Sequence, residues 1–157
     1  LSAMEVETKK TRIVTSGILV DNLNLLKILE ENSMTIVGDD VVAESGQYRT
    51  DAPVSGPSNL DRLVAKFTNT GDVSMLLDPE RHREVALVDL AKERRADGVL
   101  IVLTKFCDPE EFDLPRLRKA VKDAGLKEVT IEADRQMDRF DQAQTALETF
   151  HDVLAYA

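Results

Sequence analysis

Gly98-Val99-Leu100-Ile101-Val102-Leu103-Thr104 is the stretch whose reading decides the fold. Its apolar side chains do not alternate with polar ones, so both faces of the segment must be covered. A central strand of a parallel sheet, with helices packed above and below, meets that requirement. Upstream, Asp78-Pro79-Glu80 reads as a helix start with proline in the first turn. That helix runs through Val85, Val88, Leu90 and Ala91 to a basic last turn at Arg94-Arg95, and stops near Ala96-Asp97-Gly98. Downstream, a second helix extends from about Asp108-Pro109-Glu110-Glu111 to Asp123, with Gly125 as its C-terminal stop, and Glu128-Val129-Thr130-Ile131-Glu132 makes another strand.

The same alternation holds toward both ends of the chain. Arg12-Ile13-Val14-Thr15 is a β-branched run ending at Ser16-Gly17, and Leu23, Leu26, Ile28 and Leu29 mark the apolar side of the helix after it. Thr35-Ile36-Val37-Gly38 is strand-like and closes on Asp39-Asp40. Residues 44–59, with Pro53, Gly56 and Pro57, read as a long loop. A short helix, Asn59 to Phe67, follows a Ser58 or Asn59 cap and is broken at Gly71-Asp72. In the last helical stretch Phe140, Ala143, Leu147, Phe150 and Leu154 fall at steps of three and four, one stripe suited to docking on a sheet. Strands alternating with helices predict an α/β fold: a four-stranded, parallel, doubly wound sheet with helices on both faces, Rossmann-like in class and flavodoxin-like in its simplest strand order.

At 157 residues, 43% of them hydrophobic, the chain can bury one core and is too short for two ordinary domains. Lys and Arg number 20 against 29 Asp and Glu, and the basic residues are scattered, which argues against a nucleic-acid surface. No apolar run approaches the roughly 20 residues that cross a bilayer. The polar start Leu1 to Lys10 lacks the apolar core of a signal peptide. One cysteine forms no internal disulfide and suits a reducing compartment. These features predict a soluble cytoplasmic protein with no membrane or nucleic-acid partner. Met4 behind Leu1-Ser2-Ala3 reads as a cloning remnant, so residues 1–10 are expected to be a tag remnant or linker and residues 11–157 the domain.

In a doubly wound sheet the ligand crevice lies outside the carboxyl ends of the strands, near the point where strand order switches. Those ends are Ser16-Gly17, Asp39-Asp40, Lys105-Phe106-Cys107-Asp108 and Asp134-Arg135-Gln136. Cys107 precedes Asp108-Pro109-Glu110, where the first turn of a helix offers free amides and a positive dipole end that favour a thiolate. A buried packing cysteine is the competing reading. His82 and His151 fall within predicted helices away from the strand ends, so this chain alone cannot hold a metal. Asp39 and Asp40 suit a cation or acid-base work, or else a turn or cap. Gln47 and Arg49, in the loop, offer hydrogen bonds and a guanidinium for anion or carbonyl contacts. Ser16-Gly17 could seat a phosphate, but the Gly-rich fingerprint and the P-loop are both missing.

The segment Thr104-Lys105-Phe106-Cys107-Asp108-Pro109-Glu110-Glu111-Phe112-Asp113 resembles a signature of the 2-hydroxyacyl-CoA dehydratase and benzoyl-CoA reductase family. Further pieces follow the family's order: Ser16-Gly17 with Asp21-Asn22, then Asp39-Asp40 with Glu44-Ser45-Gly46-Gln47-Tyr48-Arg49-Thr50-Asp51, and Gln142-Ala143-Gln144-Thr145-Ala146-Leu147-Glu148. Asp141 stands where many members have glycine, and the Gly46 position is often basic. The resemblance covers nearly everything after Thr11.

That resemblance implies the C-terminal domain of one dehydratase subunit, similar to the 2-hydroxyglutaryl-CoA dehydratase D-component, with further cysteine ligands in an N-terminal domain. It implies that Cys107 is one ligand of a [4Fe-4S] cluster whose other ligands lie outside this chain, so the isolated domain is expected to hold no cluster and to be inactive. It implies an acyl-CoA substrate, a related second subunit and an ATP-hydrolysing iron-sulfur activator that donates one electron. The reaction would be radical dehydration of an (R)-2-hydroxyacyl-CoA, a hydro-lyase activity. The shared motifs leave ATP-dependent benzoyl-CoA reduction, or a non-catalytic α/β scaffold, as alternatives. Ser16, Gly17, Asp39, Asp40, Gln47, Arg49, Lys105 and Gln142 are the accompanying substrate or crevice candidates.

Overall fold

The structure is a computed structural model that describes residues 10–71, 80, 82–134 and 136–156. Four parallel strands, β1 (Thr11–Gly17), β2 (Met34–Val41), β3 (Gly98–Thr104) and β4 (Lys127–Ala133), form one sheet in the order β2-β1-β3-β4. This is the flavodoxin-like order expected. Among the described residues there are five α-helices, of which all but the second pack on the sheet: α1 (Leu23–Glu31), α2 (Asn59–Asn69), α3 (His82–Glu93), α4 (Asp108–Asp123) and α5 (Asp141–Ala155).

The period of two in β1 and β3 divides the core. Ile13, Leu100 and Val102 join Leu25, Leu29, Leu147 and Phe150 under α1 and α5. Val14, Val99 and Ile101 join Leu87, Ala91, Leu117 and Val121 under α3 and α4. Residues 98–103 of β3 are all buried, as a strand covered on both faces must be. Gly98 has a packing reason: a Cβ there would lie 2.6 Å from Phe150 Cζ, so its absence lets α5 close onto the sheet.

Some boundaries and faces differ from expectation. β2 runs one residue past Asp39-Asp40, to Val41. In α1 Leu25 and Leu29 are buried and Leu26 and Ile28 pack partly buried against the same core, as expected of the last three, whereas Leu23 is exposed, because the Asn22 cap starts the helix with Leu23 turned to solvent. Ser58, not Asn59, caps α2, its hydroxyl accepting from the Asp61 amide. Asp78 and Pro79 lie outside the described residues. α3 stops at Glu93, and Arg12 caps that end by donating to the carbonyls of Arg94 and Arg95. Among the described residues no helix is long and apolar enough to cross a membrane.

Candidate functional site at the carboxyl edge of the sheet

β3 leaves the sheet at Thr104 and α4 begins at Asp108, so Lys105, Phe106 and Cys107 form the whole connection. Two hydrogen bonds and one backbone angle shape it. The Lys105 amide donates to the Ala133 carbonyl at the end of β4 (2.9 Å), and the Cys107 amide donates to the Thr104 carbonyl (3.1 Å). Phe106 between them adopts φ 64°, the left-handed region that a bulky residue enters only at a cost of about 1–2 kcal/mol. Its side chain gains nothing locally, being 91% exposed.

Cys107 is a free, half-buried thiol at the N-cap of α4, and its carbonyl accepts from the Glu111 amide. Proline in the first turn and the acids Asp108, Glu110 and Glu111 suit the positive end of the helix dipole. Glu110 does more than decorate that turn. Its carboxylate is buried, and Oε2 accepts from the Thr104 amide at 3.1 Å, so the first turn of α4 grips the last residue of β3.

A second structure lies at the ends of β1 and β2. Asp40 is 4% exposed, and its two oxygens are both engaged. Oδ1 accepts from Arg49 Nη1 (3.1 Å), while Oδ2 accepts from Ser16 Oγ (2.9 Å) and Arg83 Nε (3.3 Å). Arg83 also donates to Ser16 Oγ and, through Nη1, to Asp113 in α4. A buried carboxylate flanked by two guanidiniums thus joins β1, β2, the start of α3 and α4. Such a group persists only when its partners satisfy it, since desolvating an unpaired charge is costly.

Among the described residues, two clefts open on this edge. One, of about 260 Å³, lies between β4 and α5 and is lined by Lys105, Thr130, Glu132, Met137 and Gln142 among others. The other, of about 250 Å³, lies under the segment after β1, between Ile18, Val20, Asn22, Thr104, Ala133 and Asp134.

The structure therefore sorts the predicted residues. Lys105 and Gln142 share one cleft, next to the connection that carries Cys107. Ser16 and Asp40 are buried in the ion-pair cluster rather than lining a crevice. Arg49 donates to Asp40, Ser45 and the Asp39 carbonyl and keeps its side chain one-third exposed. Asp39, still within β2, caps the turn that follows the strand, its Oδ1 accepting from the amides of Val41 and Ser45. Gln47 is exposed and donates to the Ala43 carbonyl. At Gly17, φ is 156° and a Cβ would lie 2.4 Å from the Val102 carbonyl oxygen, so the glycine serves strand packing. His151 meets Thr11 at the amino end of β1, but His82, at the first residue of α3, lies on the carboxyl side, because a crossover helix begins where strands end. Arg135 lies outside the described residues.

Arg83, Glu110 and Asp113 were not anticipated. Spacing could have found the first two: Arg83 lies four and eight residues before the buried Leu87 and Ala91, and Glu110 lies seven and eleven before Leu117 and Val121. Among the described residues, no three His, Cys, Asp or Glu side chains converge as a metal site. The donor set this chain offers an iron-sulfur cluster is a single thiol at a strand end.

A family model described as "2-hydroxyglutaryl-CoA dehydratase, D-component" matches residues 2–154. The chain is 48% identical over 143 residues to the (R)-phenyllactyl-CoA dehydratase beta subunit of Clostridium sporogenes. It is 35% identical over 146 residues to the (R)-2-hydroxyglutaryl-CoA dehydratase subunit beta of Acidaminococcus fermentans, and 32% identical over 143 residues to the lactoyl-CoA dehydratase subunit beta of Anaerotignum propionicum. Each match covers 91% of this chain but only 38% of the relative's length.

Proposed function

Because this chain belongs to the 2-hydroxyglutaryl-CoA dehydratase D-component family, we propose that it is part of a 2-hydroxyacyl-CoA dehydratase subunit, its thiol Cys107 being one ligand of a [4Fe-4S] cluster. The observation that carries the reading is the placement of Cys107: a free thiol at the carboxyl end of the central strand, on a connection anchored at both ends, in a chain matched by the family along almost its whole length. The remaining ligands come from the part of the subunit that the relatives carry beyond the matched region. This chain by itself supplies one thiolate, so turnover and bound iron are expected only in the full-length protein.

The net reaction removes water from a 2-hydroxyacyl-CoA to give the enoyl-CoA. The β-hydrogen is scarcely acidic, so one electron enters the thioester carbonyl, hydroxide leaves the α-carbon, a proton leaves the β-carbon, and the electron departs again. When bound, the cluster supplies Lewis acidity and electron density to this chemistry. An ATP-hydrolysing activator supplies the first electron, and a related second subunit completes the enzyme. The residues of this chain hold and orient. Glu110 and the Ala133 carbonyl fix the Cys107 connection, while Lys105 and Gln142 offer an ammonium and an amide to polar groups of the acyl-CoA at the mouth of their cleft.

The test is anaerobic purification of the full-length subunit with its partner, followed by iron and sulfide analysis and EPR, for the native enzyme and for Cys107→Ser. Cluster content and dehydration should be lost together in the variant. A native pair without iron would refute the reading. Assaying benzoyl-CoA beside 2-hydroxyacyl-CoA thioesters separates dehydration from aryl reduction.

A further inference from the structure

α2 is an amphipathic helix mounted the wrong way round for a helix of this domain. It has no buried residue, and Leu60, Leu63, Val64 and Phe67 are 48–69% exposed. These four recur at steps of three and four, so they form one stripe. The side turned toward the domain is the polar one: Arg62 Nε donates to the Pro53 carbonyl (2.7 Å) and Lys66 Nζ to the Gln47 carbonyl (3.2 Å). At eleven residues α2 is shorter than the roughly 12–15 that an isolated helix needs to be even marginal in water, so packing has to sustain it. Nothing in the described structure covers the stripe.

We propose that this outward stripe, together with Phe106 and Phe112, is the surface on which the remaining part of the same full-length subunit docks. The occupant follows from two observations. The chain spans 38% of the length of the relatives it matches, so most of such a subunit lies elsewhere and must pack against this domain. The exposed apolar groups also lie where that part has to arrive. Phe106 is 91% exposed beside Cys107, and Phe112 is 80% exposed one turn into α4. The segment carrying α2 leaves β2 and enters α3 on the same carboxyl edge, two strands and about 10 Å along the sheet from β3. Exposed apolar side chains on segments that leave the same edge as a site whose chemistry is completed from outside are what an interdomain contact buries. The inference rests on the reading of Cys107 as one cluster ligand among several.

The experiment is anaerobic carbene photolabelling with peptide mapping, performed on this chain, on the full-length subunit alone, and on the subunit with its partner. Labelling of residues 60–67 and of Phe106 should fall at least about fivefold between this chain and the full-length subunit alone, as it does when exposed side chains enter an interface. The double variant Leu63→Glu, Phe67→Glu should leave the melting temperature of this chain unchanged and restore labelling at Phe106 in the full-length subunit. Protection that appears only when the second subunit is added would overturn the proposal and assign the surface to the heteromeric contact. Undiminished labelling in all three samples would overturn it as well, leaving a solvated helix. Iron measured on the same samples keeps the two readings apart: a protected stripe in a subunit without iron removes the cluster role and retains the docking surface.

Discussion

Asparagine at position 40 is the sharpest perturbation of the ion-pair cluster. Both carboxylate oxygens of Asp40 accept, Oδ1 from Arg49 and Oδ2 from Arg83 and Ser16. An amide presents one acceptor and one donor, so whichever way it is turned its NH2 faces a guanidinium or the group shared by Arg83 and Ser16. The charge is lost as well, leaving Arg83, whose side chain is 7% exposed, with Asp113 but without the buried carboxylate of Asp40. Breaking a buried pair in this way costs about 3–5 kcal/mol, and the single hydrogen bond retained places Asp40→Asn near the lower figure. For a chain of this size about 3 kcal/mol lowers Tm by roughly 6–12 °C. Arg49 is one-third exposed, so Arg49→Met should cost less than about 1 kcal/mol. Thermal and urea unfolding of this chain, followed by near- and far-UV circular dichroism, measures each variant. The double variant Asp40→Asn, Arg83→Met should fall short of the summed single costs by at least about 1.5 kcal/mol. A Tm loss below about 2 °C for Asp40→Asn, or equal losses for the single variants Arg49→Met and Arg83→Met, would refute the assignment of the cluster to Arg83 and Asp40.

Gly17→Ala should destabilise the chain by at least about 2 kcal/mol in denaturant unfolding, since its Cβ would meet the Val102 carbonyl oxygen at 2.4 Å and φ is 156°. Phe106→Gly should be neutral or stabilising by up to about 1 kcal/mol, because left-handed strain is relieved and a 91% exposed ring contributes no packing; a clear loss of stability would mean that the ring is covered within this chain. Ser58→Ala removes the cap of α2 and should cost about 1 kcal/mol locally, seen as faster hydrogen exchange at residues 59–62 with little change in the global Tm. Cys107→Ala should leave the unfolding midpoint of this chain within about 0.5 kcal/mol of the parent, since the thiol makes no capping hydrogen bond and is only half-buried.

The fold was legible because its strongest signals are local. Residues 98–103 admit only a doubly covered strand, Asp108-Pro109-Glu110 opens a helix by cap and proline chemistry, and Gly125, at φ 77°, closes it. Strand order followed from alternation and handedness. The position of Cys107, between the end of the central strand and the start of α4, was legible too. What sequence patterning misjudged were polar residues with long-range partners. Asp39 and Asp40 look alike as neighbours, yet one caps a turn of its own segment and the other pairs with Arg83, 43 residues away. Only the sheet, by bringing β1, β2 and the start of α3 together, distinguishes them. Leu23 was misassigned for a different reason: an apolar residue in the first helical turn fits the stripe on paper, but the cap geometry turns it outward.

The bond from the Thr104 amide to Glu110 closes a ring whose only unstructured members are Lys105, Phe106 and Cys107. A loop tied at its base has few conformations left to lose. When another body approaches Cys107, whether metal or protein, the thiol is already confined, and the entropy that a slack loop would surrender on capture has been given up during folding. Cutting the tie with Glu110→Ala should therefore appear as slower and weaker capture at Cys107, with the sulfur itself untouched.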